Sequence, residues 1–299
     1  MDLVRTLLAA VAIATAAMGI VAGRAGAADG PPPPVVPACA ATGPYLAPPP
    51  RSVGSPAGLP LCPERGVLEI RTAGAVLDGL DLLGGVVVAA PDVVVRRSRI
   101  TGDGSLPAGV RTLPGGSVRI EDTTLTGDFT EAALAGADWT AERVELAGLR
   151  SDGAHLGPGS TLRNSLVHDF APAPGREVDA VAVTAPDALV EGNRVQLGGG
   201  PGRGSAVRIE AGRIGDRAGA TDAAHESREL ARPDGPVVVR GNELGGGGYT
   251  LVASDPGGQP LRITGNRFHR DGAIGPMQVR ARVAELWDNV FVDGGAVRR

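Results

Sequence analysis

The chain has 299 residues, with 29 Lys or Arg against 33 Asp or Glu and a formal net charge of -4. That slightly acidic balance removes any general electrostatic case for nucleic acid or anionic membrane as a partner. Every basic residue is arginine and only 3% of residues are aromatic, so a stacking platform for sugars or bases has few candidate members.

Residues 1–27 read as a secretory signal: Arg5, an apolar run to about Val21, then Ala25-Gly26-Ala27 as a small-residue cleavage site. A membrane-spanning helix is the alternative, but the run is short and broken by Gly19 and Gly23, and no second run of that length follows. The mature chain is therefore expected to be secreted, with cell-wall association open and no membrane contact after cleavage. Residues 28–65 are dominated by Pro, Ala and Gly and form an extended tether and N-terminal cap, since such a segment buries too little surface to fold alone. Both cysteines, Cys39 and Cys62, lie there. In an oxidising compartment they can close a loop, for about 3 kcal/mol in the chain-entropy model.

Residues 66–299 carry a repeat. Leu82, Ile100, Leu125, Leu146, Val167, Val195, Leu244, Phe268 and Phe291 align as anchors, and five residues before each stand Leu77, Val95, Ile120, Ala141, Leu162, Val190, Val239, Ile263 and Leu286. Two fully apolar columns in fixed register, with variable lengths between them, indicate short strands joined by loops of free length. One long interval holds a polar insertion at about 211–235. The predicted fold is all-β, a single-stranded right-handed parallel β-helix of about nine rungs, because a left-handed hexapeptide helix would keep a strict period.

A third strand per rung is read in GVVVAA, AGVRTL, EAALAG, DGAHLG, DAVAVT, SAVRIE, YTLVAS and PMQVRA, with side chains expected to alternate inward and outward. Asn193, Asn242, Asn266 and Asn289 recur two residues before an anchor and predict an internal ladder at one corner, continued by Ser98, Thr123 and Ser165. The Gly before three of these Asn residues permits a turn with positive φ.

The segments VLDGLDLLGGVVVAAPDVVVRRSRITG, SLVHDF, VDAVAV and GGGYTLV with NRFHRDGAIGP resemble secreted actinobacterial right-handed β-helix proteins of the pectate-lyase-like superfamily. The resemblance covers about residues 66–293 and implies the fold and secretion more firmly than a reaction; superfamily members often bind or cleave acidic polysaccharides. The family pattern around Asp179 has a His, a Gln and a Lys where this sequence has Glu177, Ala182 and Glu210.

Alignment of the third strands puts Glu131, Asp152 and Asp179 at one position of three successive rungs, three residues before a column of Leu134, His155, Ala182 and Arg208. Stacked carboxylates would raise at least one pKa or recruit a cation such as Ca²⁺. In a polysaccharide lyase or glycoside hydrolase reading, Asp152, Asp179, His155 and His168 are the candidate catalytic groups. Arg176, Arg208, Tyr249, Arg267 and Arg270 are candidates for substrate contact. The alternative makes Asp152 and Asp179 solvated turn residues. His168 and Asp169 are adjacent on an extended chain and are expected to point to opposite sides. Tyr249, Trp139 and Phe170 are the candidate ring platforms, and Trp287 is expected to pack in the core or a C-terminal cap. GGGPGRGSA lacks the P-loop lysine and is read as a connecting loop. Two functions follow: a monomeric secreted protein that binds, and in one version cleaves, an acidic glycan along the third sheet, or a non-enzymatic cell-surface β-helix.

Overall fold

The structure is a computed structural model that describes residues 52–199, 204–211 and 235–298. The signal segment, most of the tether, Cys39, the middle of GGGPGRGSA, His225 and most of the polar insertion lie outside the described residues. Among the described residues there is no helix, and the strands stack in parallel into a 17-stranded and a 9-stranded sheet, an arrangement consistent with a parallel β solenoid.

The two apolar columns hold their register from end to end. All nine anchors, Leu82 through Phe291, are consecutive Cα partners in the larger sheet. The second column, Leu77 through Leu286, is equally continuous in the smaller sheet. Except at the last rung these residues are buried, so like side chains stack on like at about 4.8 Å along the core. Each fully buried Val, Leu or Ile contributes about 1.5–3 kcal/mol. Loops absorb the variation in spacing because they lie outside this stack.

The Asn corner is a hydrogen-bonded ladder. The backbone N–H of Asn193 donates to Asn242 Oδ1 at 2.9 Å, that of Asn242 to Asn266 Oδ1 at 3.0 Å, and that of Asn266 to Asn289 Oδ1 at 3.2 Å. Ser165 joins it, donating its N–H to Asn193 Oδ1, while Val144 N donates to Ser165 Oγ. Upstream, Leu80 N donates to Ser98 Oγ and Ser98 N to Thr123 Oγ1. The residue before each ladder position has a left-handed backbone throughout: Gly192, Gly241 and Gly265 near φ 65°, but also Arg97, Asp122, Arg143, Asn164 and Asp288 at φ 47–53°. The glycine signal therefore marked only part of a universal turn. A non-glycine residue there is strained by about 1–2 kcal/mol. Several of these residues gain side-chain partners that offset the strain: Arg97 donates to Asp78 Oδ1 at 2.7 Å and Arg143 to Asp122 Oδ1 at 2.7 Å.

The third strands belong to the larger sheet, and their register corrects the sequence alignment in one rung. Leu134 pairs with Ala154, not with His155, and Asp152 pairs with Ala132. His155 with Ala182, and Ala182 with Arg208, are paired as expected. The reason is packing: the buried column Val86, Val110, Leu134, Ala154, Val181, Val207 and Leu251 sets the register, and aligning His155 with Leu134 would break it. The expected alternation is also lost in Ala132–Ala135, all four of which are buried. Ala135 pairs with Arg111 of the preceding rung.

At the C-terminal end the chain folds back on itself. Val290 forms an antiparallel bridge with Ala296, Phe291 N donates to Gly295 O, and Val297 N donates to Asn289 O. Trp287 is 55% exposed, contrary to the expected core or cap packing, because it occupies an outward position in register with Thr264.

Candidate functional site

The one-residue offset of Glu131 does not scatter the acidic column, because His155 bridges it. His155 Nε2 lies 2.8 Å from Asp152 Oδ2 on its own strand, and Nδ1 lies 3.3 Å from Glu131 Oε1 of the preceding rung. Glu131 also meets Arg111, whose Nη1 is 3.1 Å from Oε2. Asp152 Oδ1 accepts the backbone N–H of Asp179 at 3.0 Å. Asp179 in turn accepts from Ser205 N at 2.7 Å and from Arg208 Nε at 2.6 Å. A continuous polar chain thus runs Arg111, Glu131, His155, Asp152, Asp179, Arg208 across successive rungs.

Electrostatics follow from this geometry. Burial opposes charge on His155, but hydrogen bonds and attraction from Asp152 and Glu131 outweigh it and push the imidazole up to about 9. At neutral pH that favours an imidazolium with both N–H groups committed to the two carboxylates. Burial also works against the Glu131 carboxylate, but His155 and Arg111 more than compensate and hold it below the usual range. Asp179 moves the other way: burial raises it, Arg208 only partly counters, and the charge of Asp152 adds to the rise. The solvated-turn reading of Asp179 is therefore overturned, since it is only 7% exposed.

Among the described residues no group of three or more His, Cys, Asp and Glu is arranged to hold a metal ion. Glu131, Asp152 and Asp179 are compensated by His155 and two arginines, which stand where the calcium reading put a cation.

Arg176 reaches back across two rungs, donating from Nη2 to Thr130 O at 3.0 Å beside Glu131, so the loop carrying it borders the network. The other candidates lie elsewhere. Tyr249 pairs with Gly275, its ring against the space a side chain there would occupy. Arg267 donates to Val292 O at 3.3 Å, and Arg270 binds Asp293 and covers the Phe291 ring at 3.7 Å. Trp139 and Phe170 are buried and offer no ring surface; Trp139 Nε1 donates to Gly136 O.

His168 and Asp169 do meet, against the alternation expected of an extended chain. Asp169 is left-handed at φ 56°, which turns its carboxylate back to 2.8 Å from His168 Nδ1. His168 Nε2 lies 3.3 Å from Glu145 Oε1 of the preceding rung, and Thr124 Oγ1 donates to Glu145 Oε2 at 3.0 Å. His269 likewise reaches Glu243 at 2.9 Å. All three described histidines thus clamp to a glutamate one rung earlier.

Sequence reasoning missed Arg111 and the Ser205 amide. Arg111 was legible, since extending the Arg208 column along AGVRTL reaches it; a backbone donor leaves no sequence signal. The fold and site define an all-β protein of stacked parallel strands with an internally compensated carboxylate network on one sheet. Compared with family models, characterised proteins and solved structures, the chain matches none.

Proposed function

We propose that this chain is an exported right-handed parallel β-helix of the pectate-lyase-like type that binds polysaccharide along the third-strand face, with Glu131, Asp152, Asp179, Arg111, Arg176 and Arg208 as its contact strip. The observation that carries the reading is the polar chain from Arg111 to Arg208, which gathers three carboxylates and three cationic side chains on one face of neighbouring rungs. If the site is catalytic, its chemistry is acid–base hydrolysis more than elimination. Burial shifts Asp179 in the direction a general acid needs, whereas the doubly engaged His155 lacks the free lone pair that a lyase base needs.

The test is purified protein on an array of acidic and neutral glycans, with reducing-end release followed in parallel. Binding that weakens in Asp152→Asn and Arg208→Ala, in variants that remain folded, supports the reading. No bound glycan and no released product would end it.

A second reading, a non-enzymatic surface or cell-wall β-helix, is favoured by one observation. Each carboxylate oxygen of Glu131, Asp152 and Asp179 already has a protein partner. A depression of about 380 Å³, lined by Thr161, Leu189, Val238 and Arg240, lies instead on the smaller sheet. Glycan turnover that disappears in Asp179→Asn would remove this alternative.

A further inference from the structure

Residues 54–61 form a strap on the outside of the larger sheet. Gly54 N donates to Arg143 O at 2.8 Å and Cys62 N to Gly79 O at 2.8 Å, so between them the chain passes from the rung of Glu145–Ala147 back to that of Leu80–Val88. Gly54 is buried, and a side chain there would meet Thr124 Oγ1 at 2.6 Å and Glu145 Oε2 at 2.9 Å. Ser55 N donates to Thr124 Oγ1 at 2.9 Å. The strap is thus seated on two outward side chains, each next to a buried anchor, Leu125 or Leu146.

The same two side chains lead across the sheet to His168. Thr124 Oγ1 donates to Glu145 Oε2 at 3.0 Å, Glu145 Oε1 lies 3.3 Å from His168 Nε2, and His168 Nδ1 lies 2.8 Å from Asp169 Oδ2. Thr124 and Glu145 are Cα partners, and Ala147 of the Glu145 strand pairs with His168. Each carboxylate oxygen of Glu145 and each nitrogen of His168 faces a different partner. A shift at one end of this relay therefore changes what the next group can bond.

At Asp169 the relay acts on the backbone. Two residues after the anchor, Gly84, Gly127, Gly148 and Gly246 take the turn with positive φ; among the described residues Asp169, at φ 56°, is the one non-glycine to do so there. Its bond to His168 offsets a conformation that a side chain disfavours. From this turn the chain leaves the sheet. The Phe170 ring lies against Gly153, Ala171 N donates to Leu149 O at 2.8 Å, and Arg176 N donates to Ala173 O at 3.0 Å. Arg176 then reaches Thr130 O, beside Glu131 of the carboxylate network.

We propose that the strap and the loop of residues 170–178 are coupled through this relay: seating Gly54 and Ser55 on Thr124 and Glu145 holds His168 against Asp169, which keeps the left-handed turn and aims the loop at the third-strand face. Unseating the strap frees Glu145, releases Asp169 from His168 and loosens the loop. Any consequence for glycan binding rests on the function proposed above, whereas the coupling is read without a ligand.

The experiment is residue-resolved amide hydrogen exchange on the full chain. Gly54→Ala drives a methyl group into Thr124 and Glu145, while Gly58→Ala carries the same backbone strain, at φ 77° against 76°, with nothing within 4 Å of the added carbon. Gly54→Ala is expected to speed exchange at the Ser55, Ala171 and Arg176 amides about fivefold or more, the lower end of typical couplings, with the Asn242 amide unchanged. Gly58→Ala is expected to leave the loop as it was. Thr124→Val, which removes the acceptor of the Ser55 amide, serves as a second route to unseating. Coupling is reciprocal, so His168→Ala is expected to speed exchange at Ser55. In Asp169→Gly, whose turn needs no side-chain partner, adding Gly54→Ala is expected to leave the loop's exchange unchanged. Loop amides that stay protected while Ser55 is released overturn the proposal. So does a Ser55 amide protected in both strap variants, a loop response to Gly58→Ala equal to that of Gly54→Ala, a response that survives in Asp169→Gly, or an equal rise at Asn242.

Discussion

His155 Nε2 lies 2.8 Å from Asp152 Oδ2, and this contact, with the one to Glu131, converts a buried histidine into a fixed cation with a pKa of about 9. The folded value lies above the ordinary 6.5, so the stabilisation is fully present below pH 6.5 and is lost as pH rises through 9. It amounts to roughly 3 kcal/mol at 1.36 kcal/mol per unit. Urea midpoints measured across that window should fall for the unaltered chain. His155→Gln should lower the midpoint at neutral pH and flatten this dependence. Glu131 acts at the other end: its depressed carboxyl contributes above 4.5 and loses that contribution as pH falls through its folded value.

Arg208 and Asp179 form a pair whose two members are not equivalent to lose. Arg208→Ala leaves a carboxyl that is 7% exposed without its 2.6 Å donor. The expected cost is about 3–5 kcal/mol, as for other broken buried pairs. Asp179→Asn combined with Arg208→Met should recover part of that loss, because the charge to be compensated is gone. A double-mutant cycle in urea checks the coupling, and additive losses would contradict it.

Asn242 both donates and accepts within the ladder. Its side chain donates to Val190 O at 2.9 Å and to Asn266 Oδ1 at 3.0 Å, and accepts from the Asn193 backbone. Asn242→Ala strands the Asn193 N–H, so it should cost about 2–4 kcal/mol, at 1–3 kcal/mol for each buried group left unpaired. Asn289→Ala, in the last rung and nearer solvent, should cost less. Thermal midpoints of the two variants give the comparison.

Gly84 pairs in register with Gly66 and has φ 147°. A side chain there would land on the Gly66 carbonyl oxygen. Gly84→Ala should therefore destabilise by at least about 1–3 kcal/mol through backbone strain alone. Gly79→Ala, at φ 72° but with open space around it, should cost less, and the difference between the two measures the clash.

The sequence by itself determined the stack. The columns from Leu82 and Leu77 hold register because burial of like apolar residues is a local, repeating requirement, and the Asn corner was legible because its bonds join identical positions. The same logic could not fix the third strand. At the shifted rung the segments EAALAG and DGAHLG are rich in Ala and Gly, so a one-residue shift between Leu134 and Ala154 leaves little mark in the sequence. Only the tertiary structure decided that Glu131 reaches the network through His155, that Asp179 is buried against Arg208 and Ser205, and that Asp169 turns back to His168. Those outcomes depend on side-chain reach between rungs and on one left-handed residue, neither of which a pattern of apolar columns encodes.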